Sequence, residues 1–262
     1  MTCLIYSADQ MTSVNIAEAL KDMLGFEEAG VVDGMNSFKA GETRMLEVHG
    51  SITDADFVDS AIGDDFAIFL SMHSSARGIA VFTVHAEGNW GDDAGLGGKP
   101  KKLSTASPVN MLSVLNAVHK KQEQLQTTYE ATHHGPLLNA PSFFVEVGGT
   151  SQSINSKKLA ETLAGAVADF LAADKAEYDK VAIGIGGTHY PEKFTRLALD
   201  GTYAFAHIMP KYNLHNDMLQ QAVERSDMRV ETAVIEWKSL NSEQRAGILQ
   251  ELEKIGVDYE KV

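Results

Sequence analysis

The chain has 262 residues, 44% of them hydrophobic and 22% charged, with a formal net charge of −14 and a single cysteine. That length supports a large core. No apolar run reaches the roughly 18 residues of a membrane span, and the net charge taken alone argues against phosphate-led nucleic-acid binding, which relies on Lys and Arg, although Lys99, Lys101, Lys102, Lys157, Lys158, Lys193, Arg196 and Lys211 leave room for a local basic face on an acidic body. The lone Cys3 rules out an intramolecular disulfide and leaves imidazole and carboxylate to furnish any metal site.

The N-terminal Met1–Gln10 segment lacks a basic start before its short apolar run, so a cytoplasmic protein is expected. Thr2 to Ser7 reads as a strand. Val14, Ala17, Leu20 and Leu24 then fall on one face of a helix from Ser13 to Leu24, which Gly25 stops. Arg44 to His49 alternates as a second strand. The continuous apolar run Phe66 to Leu70 is a fully buried strand leading into Ser71-Met72-His73-Ser74, and Ile79 to Val84 is another, leading into His85-Ala86-Glu87-Gly88-Asn89.

Trp90 to Ser104 is glycine-rich, carries Lys99, Lys101 and Lys102, and has no periodicity; it reads as a mobile loop able to act as a lid. Ser107-Pro108 opens a helix by capping hydroxyl and first-turn proline, with Met111, Leu115, Val118 and Leu125 as its buried stripe. Strand-like Thr127 to Ala131 leads to His133-His134, and Ser142 to Val147 leads to Gly148-Gly149-Thr150. Asn155 is placed to cap a helix carrying Leu159, Leu163, Val167 and Phe170. A buried strand, Lys180 to Ile185, precedes Gly186-Gly187-Thr188-His189-Tyr190. A short helix around Phe194 to Ala198, a strand Tyr203 to His207, a helix Met218 to Glu224, a strand Val230 to Ile235 and a helix Ser242 to Ile255 follow. With no linker or long repeat, residues 1–262 are expected to form one compact α/β unit.

His73, His85, His133, His134, His189 and His207 recur at the downstream ends of apolar strands, and in a parallel sheet such ends lie along one edge, where α/β folds place ligands. One histidine after a strand is ordinarily a turn or satisfied core residue. The recurrence is what points to a shared site, since neutral imidazole is both the commonest metal ligand and the usual general base. His49, His119 and His215 fit the ordinary reading. Gly184-x-Gly186-Gly187-Thr188 is placed to cradle a phosphate with backbone amides, or simply to turn the chain; it matches neither the dinucleotide nor the P-loop fingerprint. There is no serine elbow and no HExxH helix.

The words Ser71-Met72-His73-Ser74, Phe82-Thr83-Val84-His85-Ala86-Glu87-Gly88-Asn89, Glu130-Ala131-Thr132-His133-His134-Gly135-Pro136, Ile183 to Tyr190 (IGIGGTHY) and His207-Ile208-Met209-Pro210-Lys211-Tyr212 together resemble the archaeal and plant type of D-aminoacyl-tRNA deacylase, in order and over nearly the whole chain. Met72 and Pro191-Glu192 depart from that pattern, where arginine and Ala-Pro are expected. The resemblance implies a mixed, largely parallel central sheet with helices on both faces, as in phosphorylases and peptidyl-tRNA hydrolases. It implies a cytoplasmic zinc-dependent hydrolase of D-aminoacyl-tRNA with broad side-chain tolerance.

On that reading zinc is expected on a subset of His73, His85, His133, His134 and His189. His133, His134 and Glu146 are the expected catalytic residues, Glu146 as general base or ligand. Gly148, Gly149, Gly186, Gly187, Thr188 and Lys211 are expected to contact the aminoacyl end of tRNA. No membrane and no stable protein partner are implied, and a monomer is the expectation. The alternative is a metal-independent nucleoside phosphorylase-like or phosphate-binding enzyme built on the glycine loops.

Overall fold

In the computed structural model, which describes residues 2–63, 65–74, 78–122 and 125–262, strand alternation decides the layering. The chain opens with β1 (Thr2–Ser7), α1 (Met11–Leu24), β2 (Glu27–Val32), β3 (Met35–Ala40), β4 (Thr43–Val48) and α2 (Asp59–Ile62). Next come β5 (Phe66–Ser74), β6 (Val81–His85), β7 (Gly88–Asn89), β8 (Lys102–Leu103), β9 (Thr105–Ala106), α3 (Pro108–Lys121), β10 (Gln126–Tyr129) and β11 (Pro141–Gly149). The remainder is α4 (Ser151–Ile154), α5 (Lys157–Ala172), β12 (Lys180–Ile185), α6 (Glu192–Leu199), β13 (Tyr203–Met209), α7 (Leu219–Glu224), β14 (Thr232–Ile235), α8 (Ser242–Ile255) and β15 (Tyr259–Lys261).

The central sheet has the order β10-β6-β11-β5-β1-β4-β3-β2, with β9 also on β11. β11, β5, β1 and β4 are mutually parallel, as the apolar runs suggest. Successive residues of a strand face opposite sides of its sheet. Leu4, Tyr6, Ile68, Leu70, Phe143 and Val145 therefore enter the core beneath α1, α3 and α5, while Cys3, Ile5, Ala67, Phe69 and Phe144 pack beneath Val58, Ala61 and Ile62 around α2. Helices thus cover both faces. Burial pushes the Cys3 thiol up to about 12, which makes it a core residue.

The structure departs from expectation at several points. There is a second sheet, β13-β12-β14-β15, wholly parallel, and α3 packs on both β6 and β13 to join it to the first. β6 runs antiparallel to β11, so the strand ends do not share one edge of one parallel sheet. The β2–β3 hairpin escaped notice because β2 is solvated on both faces and shows no alternation. The Ser107 hydroxyl donates to Asp227 (2.5 Å) rather than capping α3. Ser156, not Asn155, accepts from the Leu159 amide and caps α5.

The Trp90–Ser104 loop is folded into the body. Trp90 is buried and its indole N–H donates to Thr132 O (2.9 Å), the Asn89 amide donates to Gly97 O (2.8 Å), and β8 pairs with β7. At Gly97 (φ 83°) a Cβ would lie 1.9 Å from Thr53 O, so glycine is required for the loop to pack there.

Candidate metal centre

The segment after β10 is stitched between the two sheets. The Glu130 amide donates to Val84 O on β6 (3.0 Å), Ala131 to His189 O after β12 (2.8 Å), and Thr132 to Ile208 O on β13 (2.9 Å). This seam, with β5, β6, β11 and the β12–α6 turn, brings His73, His85, His133, His134, His189, Glu130 and Glu146 to one place. Around Glu130 Oε2 stand His189 Nε2 at 3.0 Å, His73 Nδ1 at 3.4 Å and His133 Nε2 at 3.5 Å. Around Glu146 Oε2 stand His85 Nε2 at 3.5 Å and His73 Nδ1 at 4.0 Å. Both carboxylates and His85 are buried.

Backbone carbonyls set the histidine tautomers. Because a carbonyl can only accept, the Nδ1 of His133 donates to Ala131 O (2.8 Å), that of His134 to Gly135 O (2.6 Å) and that of His85 to Ala86 O (3.2 Å). Each ring is thereby turned so that Nε2 faces the cluster, the arrangement by which proteins orient imidazole ligands. Holding His134 in place takes a left-handed backbone (φ 44°), which costs a non-glycine residue about 1 kcal/mol or more.

The electrostatics are unusual for a protein core. Burial drives His85 down, but the Glu146 carboxylate 3.5 Å away, with the charge of Glu130, overcomes it and carries the imidazole up to about 9. Burial raises Glu146, and His85 outweighs it, holding the carboxyl at about 2. Burial, reinforced by the neighbouring imidazoles, depresses His133 well below the usual histidine range and His134 to about 4. Glu130 Oε1 and Oε2, Glu146 Oε2 and His85 Nε2 are buried without a hydrogen bond. Buried carboxylates without donors are costly unless a cation compensates them. The donors form three overlapping groups, His73/Glu130/His133/His189, His85/His133/His134 and His85/Glu130/Glu146, each with its ligand atoms within 4.8 Å of one another. This donor set fits a divalent cation of the borderline type.

The other sequence candidates fall out differently. His207 lies in the core of β13, where its Nε2 faces the carbonyls of Ser104 (3.2 Å) and Arg225 (3.0 Å) and its Nδ1 accepts from the Thr132 hydroxyl (3.2 Å). His49 is exposed beside Asp9. His215, given an ordinary reading, lines a cleft of about 310 Å³ with Gly88, Trp90, Asp92, His133 and His134. The Gly186 amide is bonded to Met209 O (2.8 Å) and the Gly187 amide to the Ser239 hydroxyl (3.0 Å), so this turn does not present a free cradle for phosphate. Gly148 pairs with His73 and Val81 inside the sheet; Thr188 and Lys211 are exposed. Glu130 was not singled out from sequence. Its signal was a carboxylate ending an apolar strand three residues before a histidine.

The fold is a mixed α/β body that gathers imidazoles and carboxylates at the seam of two sheets, in groups able to hold a metal ion. The sequence model of the D-aminoacyl-tRNA deacylase family matches residues 62–260, a stretch that contains every member of the cluster. The chain belongs to that family. A D-aminoacyl-tRNA deacylase of Ignicoccus hospitalis is 42% identical over 211 residues, covering 78% of this chain and 84% of that one. The one of Thermococcus onnurineus is 33% identical over 99% of both. A crystal structure described as a conserved protein of unknown function superposes with a TM-score of 0.90 at 32% identity, over 100% of this chain and 95% of that one.

Proposed function

We propose that this protein hydrolyses the ester joining a D-amino acid to the terminal ribose of tRNA, releasing both, and that zinc is the cation held by the cluster. The supporting observation is the set of buried ligand atoms without hydrogen bonds on Glu130, Glu146 and His85 facing four further imidazoles, in a chain of the deacylase family. When bound, zinc supplies a Lewis acid for the ester carbonyl and a hydroxide nucleophile near neutral pH.

The protein's own groups do the rest. His73, His133 and His189 with Glu130, His85 with His133 and His134, and His85 with Glu130 and Glu146 are the proposed ligand groups, and the carbonyls of Ala131, Gly135 and Ala86 keep the rings aimed. Glu146, ionised beside His85, is the proposed base or carboxylate ligand. The cleft beside His133 and His134 receives the aminoacyl group. Its lining includes Gly88, Gly91 and Gly95, which put no side chain into the space, and that fits broad tolerance. Chirality is then enforced by steric rejection of the L-side chain, since both forms present the same polar groups. Thr188 and Lys211 are the exposed groups proposed to meet tRNA, and the compartment is the cytoplasm, where its substrate is made. Among the described residues no helix is long and apolar enough to cross a membrane. The phosphate-binding alternative has less support, because the amides of Gly186 and Gly187 are already bonded.

The test is metal analysis of the purified protein followed by hydrolysis of D- and L-tyrosyl-tRNA with and without chelator. Cleavage of the D-ester alone, loss on chelation and recovery with zinc are expected; chelator-insensitive cleavage would overturn the metal assignment, and intact D-tyrosyl-tRNA the substrate.

A further inference from the structure

Tyr212 presents one of the most exposed large apolar side chains of the molecule, at 62% exposure, and it sits on the rim of the cluster. A single exposed aromatic is ordinary. This one is held: its hydroxyl lies 3.2 Å from His189 Nδ1, and His189 Nε2 in turn lies 3.0 Å from Glu130. The turn that carries it is braced as well, with the Lys211 amide donating to Gly187 O (3.1 Å) and the Asn213 amide to Pro210 O (3.0 Å). Asn213 lines the cleft beside His133 and His134. The phenol edge thus faces the cluster while the ring remains open to solvent, next to the exposed Lys211.

The substrate's covalent structure says what belongs there. The scissile ester hangs from the terminal ribose, so when its carbonyl meets the cluster the base of that same nucleotide lies only a sugar ring away, at the site's rim. An immobilised, solvent-open tyrosine is the usual partner for an unpaired base, whose face stacks on it, and a ring fixed before binding loses little freedom on doing so. Resting on the deacylase reading above, we propose that Tyr212 is the stacking platform for the 3′-terminal base of tRNA, and that its hydroxyl is a positioning group for His189.

Two variants separate the ring from the hydroxyl. Tyr212→Phe keeps the ring: KM for D-tyrosyl-tRNA should stay within about twofold while kcat falls roughly tenfold, as on loss of a partner that orients a ligand histidine. Tyr212→Ala removes both, and KM should also rise roughly tenfold or more. Independently of turnover, the wild-type protein should bind deacylated tRNA with its terminal adenosine roughly tenfold more tightly than the same tRNA trimmed of that nucleotide, whereas Tyr212→Ala should bind the two alike. If wild type cleaves D-tyrosyl-tRNA but Tyr212→Ala still discriminates trimmed from intact tRNA, the platform is wrong and the deacylase reading stands. If wild type cleaves no D-aminoacyl-tRNA, both fall.

Discussion

At the scale of single residues, the site depends on charges that a folded core would ordinarily exclude. Glu130 is buried with neither oxygen hydrogen-bonded and three imidazole nitrogens within 3.5 Å. Glu130→Gln removes the charge and keeps the shape, so zinc affinity and turnover should each drop by roughly 100-fold or more, measured by competition with a chelating dye and by deacylation. His133→Ala should abolish turnover while leaving the far-ultraviolet circular dichroism unchanged; wild-type turnover would remove His133 from the site. A pH effect follows from His85, which is carried up to about 9 without metal. A cation must displace that proton, so apparent zinc affinity should rise as pH increases toward 9 and weaken as it falls, with proton release visible by calorimetry in buffers of different ionisation enthalpy. The histidines were legible because each follows an apolar strand. Glu130 was not, since one carboxylate after a strand resembles any solvated turn until its neighbours are in place.

At the scale of elements, caps and pairings depend on side-chain directions that spacing alone underdetermines. Ser156 and Asn155 are both capping types, and only the backbone shows that the Ser156 oxygen meets the Leu159 amide while Asn155 closes α4. Ser156→Ala should therefore lower stability by about 1 kcal/mol and Asn155→Ala by much less, read from urea midpoints at constant slope. α1 was legible within two residues because its apolar stripe and Gly25 agree. The packing of the Trp90–Ser104 loop was not legible because glycines signal freedom in a sequence, whereas Gly97 is there to let the backbone approach Thr53 closely. The strand-like character of residues 203–207 was readable. That His207 turns to the carbonyls of Ser104 and Arg225 instead of the cluster depends on which sheet β13 joins.

At the scale of the whole molecule, His207 couples the protonation of the interior to folding. Burial lowers it from 6.5 to about 4, so between those values the unfolded chain takes up a proton that the folded one refuses. Stability should decline as pH falls through that window, by up to about 3 kcal/mol from this group. His133 and His134 act in the same direction, so the His207 part is the difference in pH slope between wild type and His207→Gln in urea unfolding; equal slopes would refute it. Zinc, if held by ligands from both sheets, should raise the unfolding midpoint, with about 2.7 kcal/mol expected at 100 times its Kd. The α/β class, the buried parallel strands, most helices and the histidines all follow from local period and residue chemistry, which act over a few neighbouring positions and can be read along the chain. Which residues share a site was settled only by tertiary pairing: β6 running against β11, a second sheet beside the first, and the Glu130–Gly135 seam between them. Those arrangements bring together atoms more than a hundred positions apart, and no local preference encodes the distance between them.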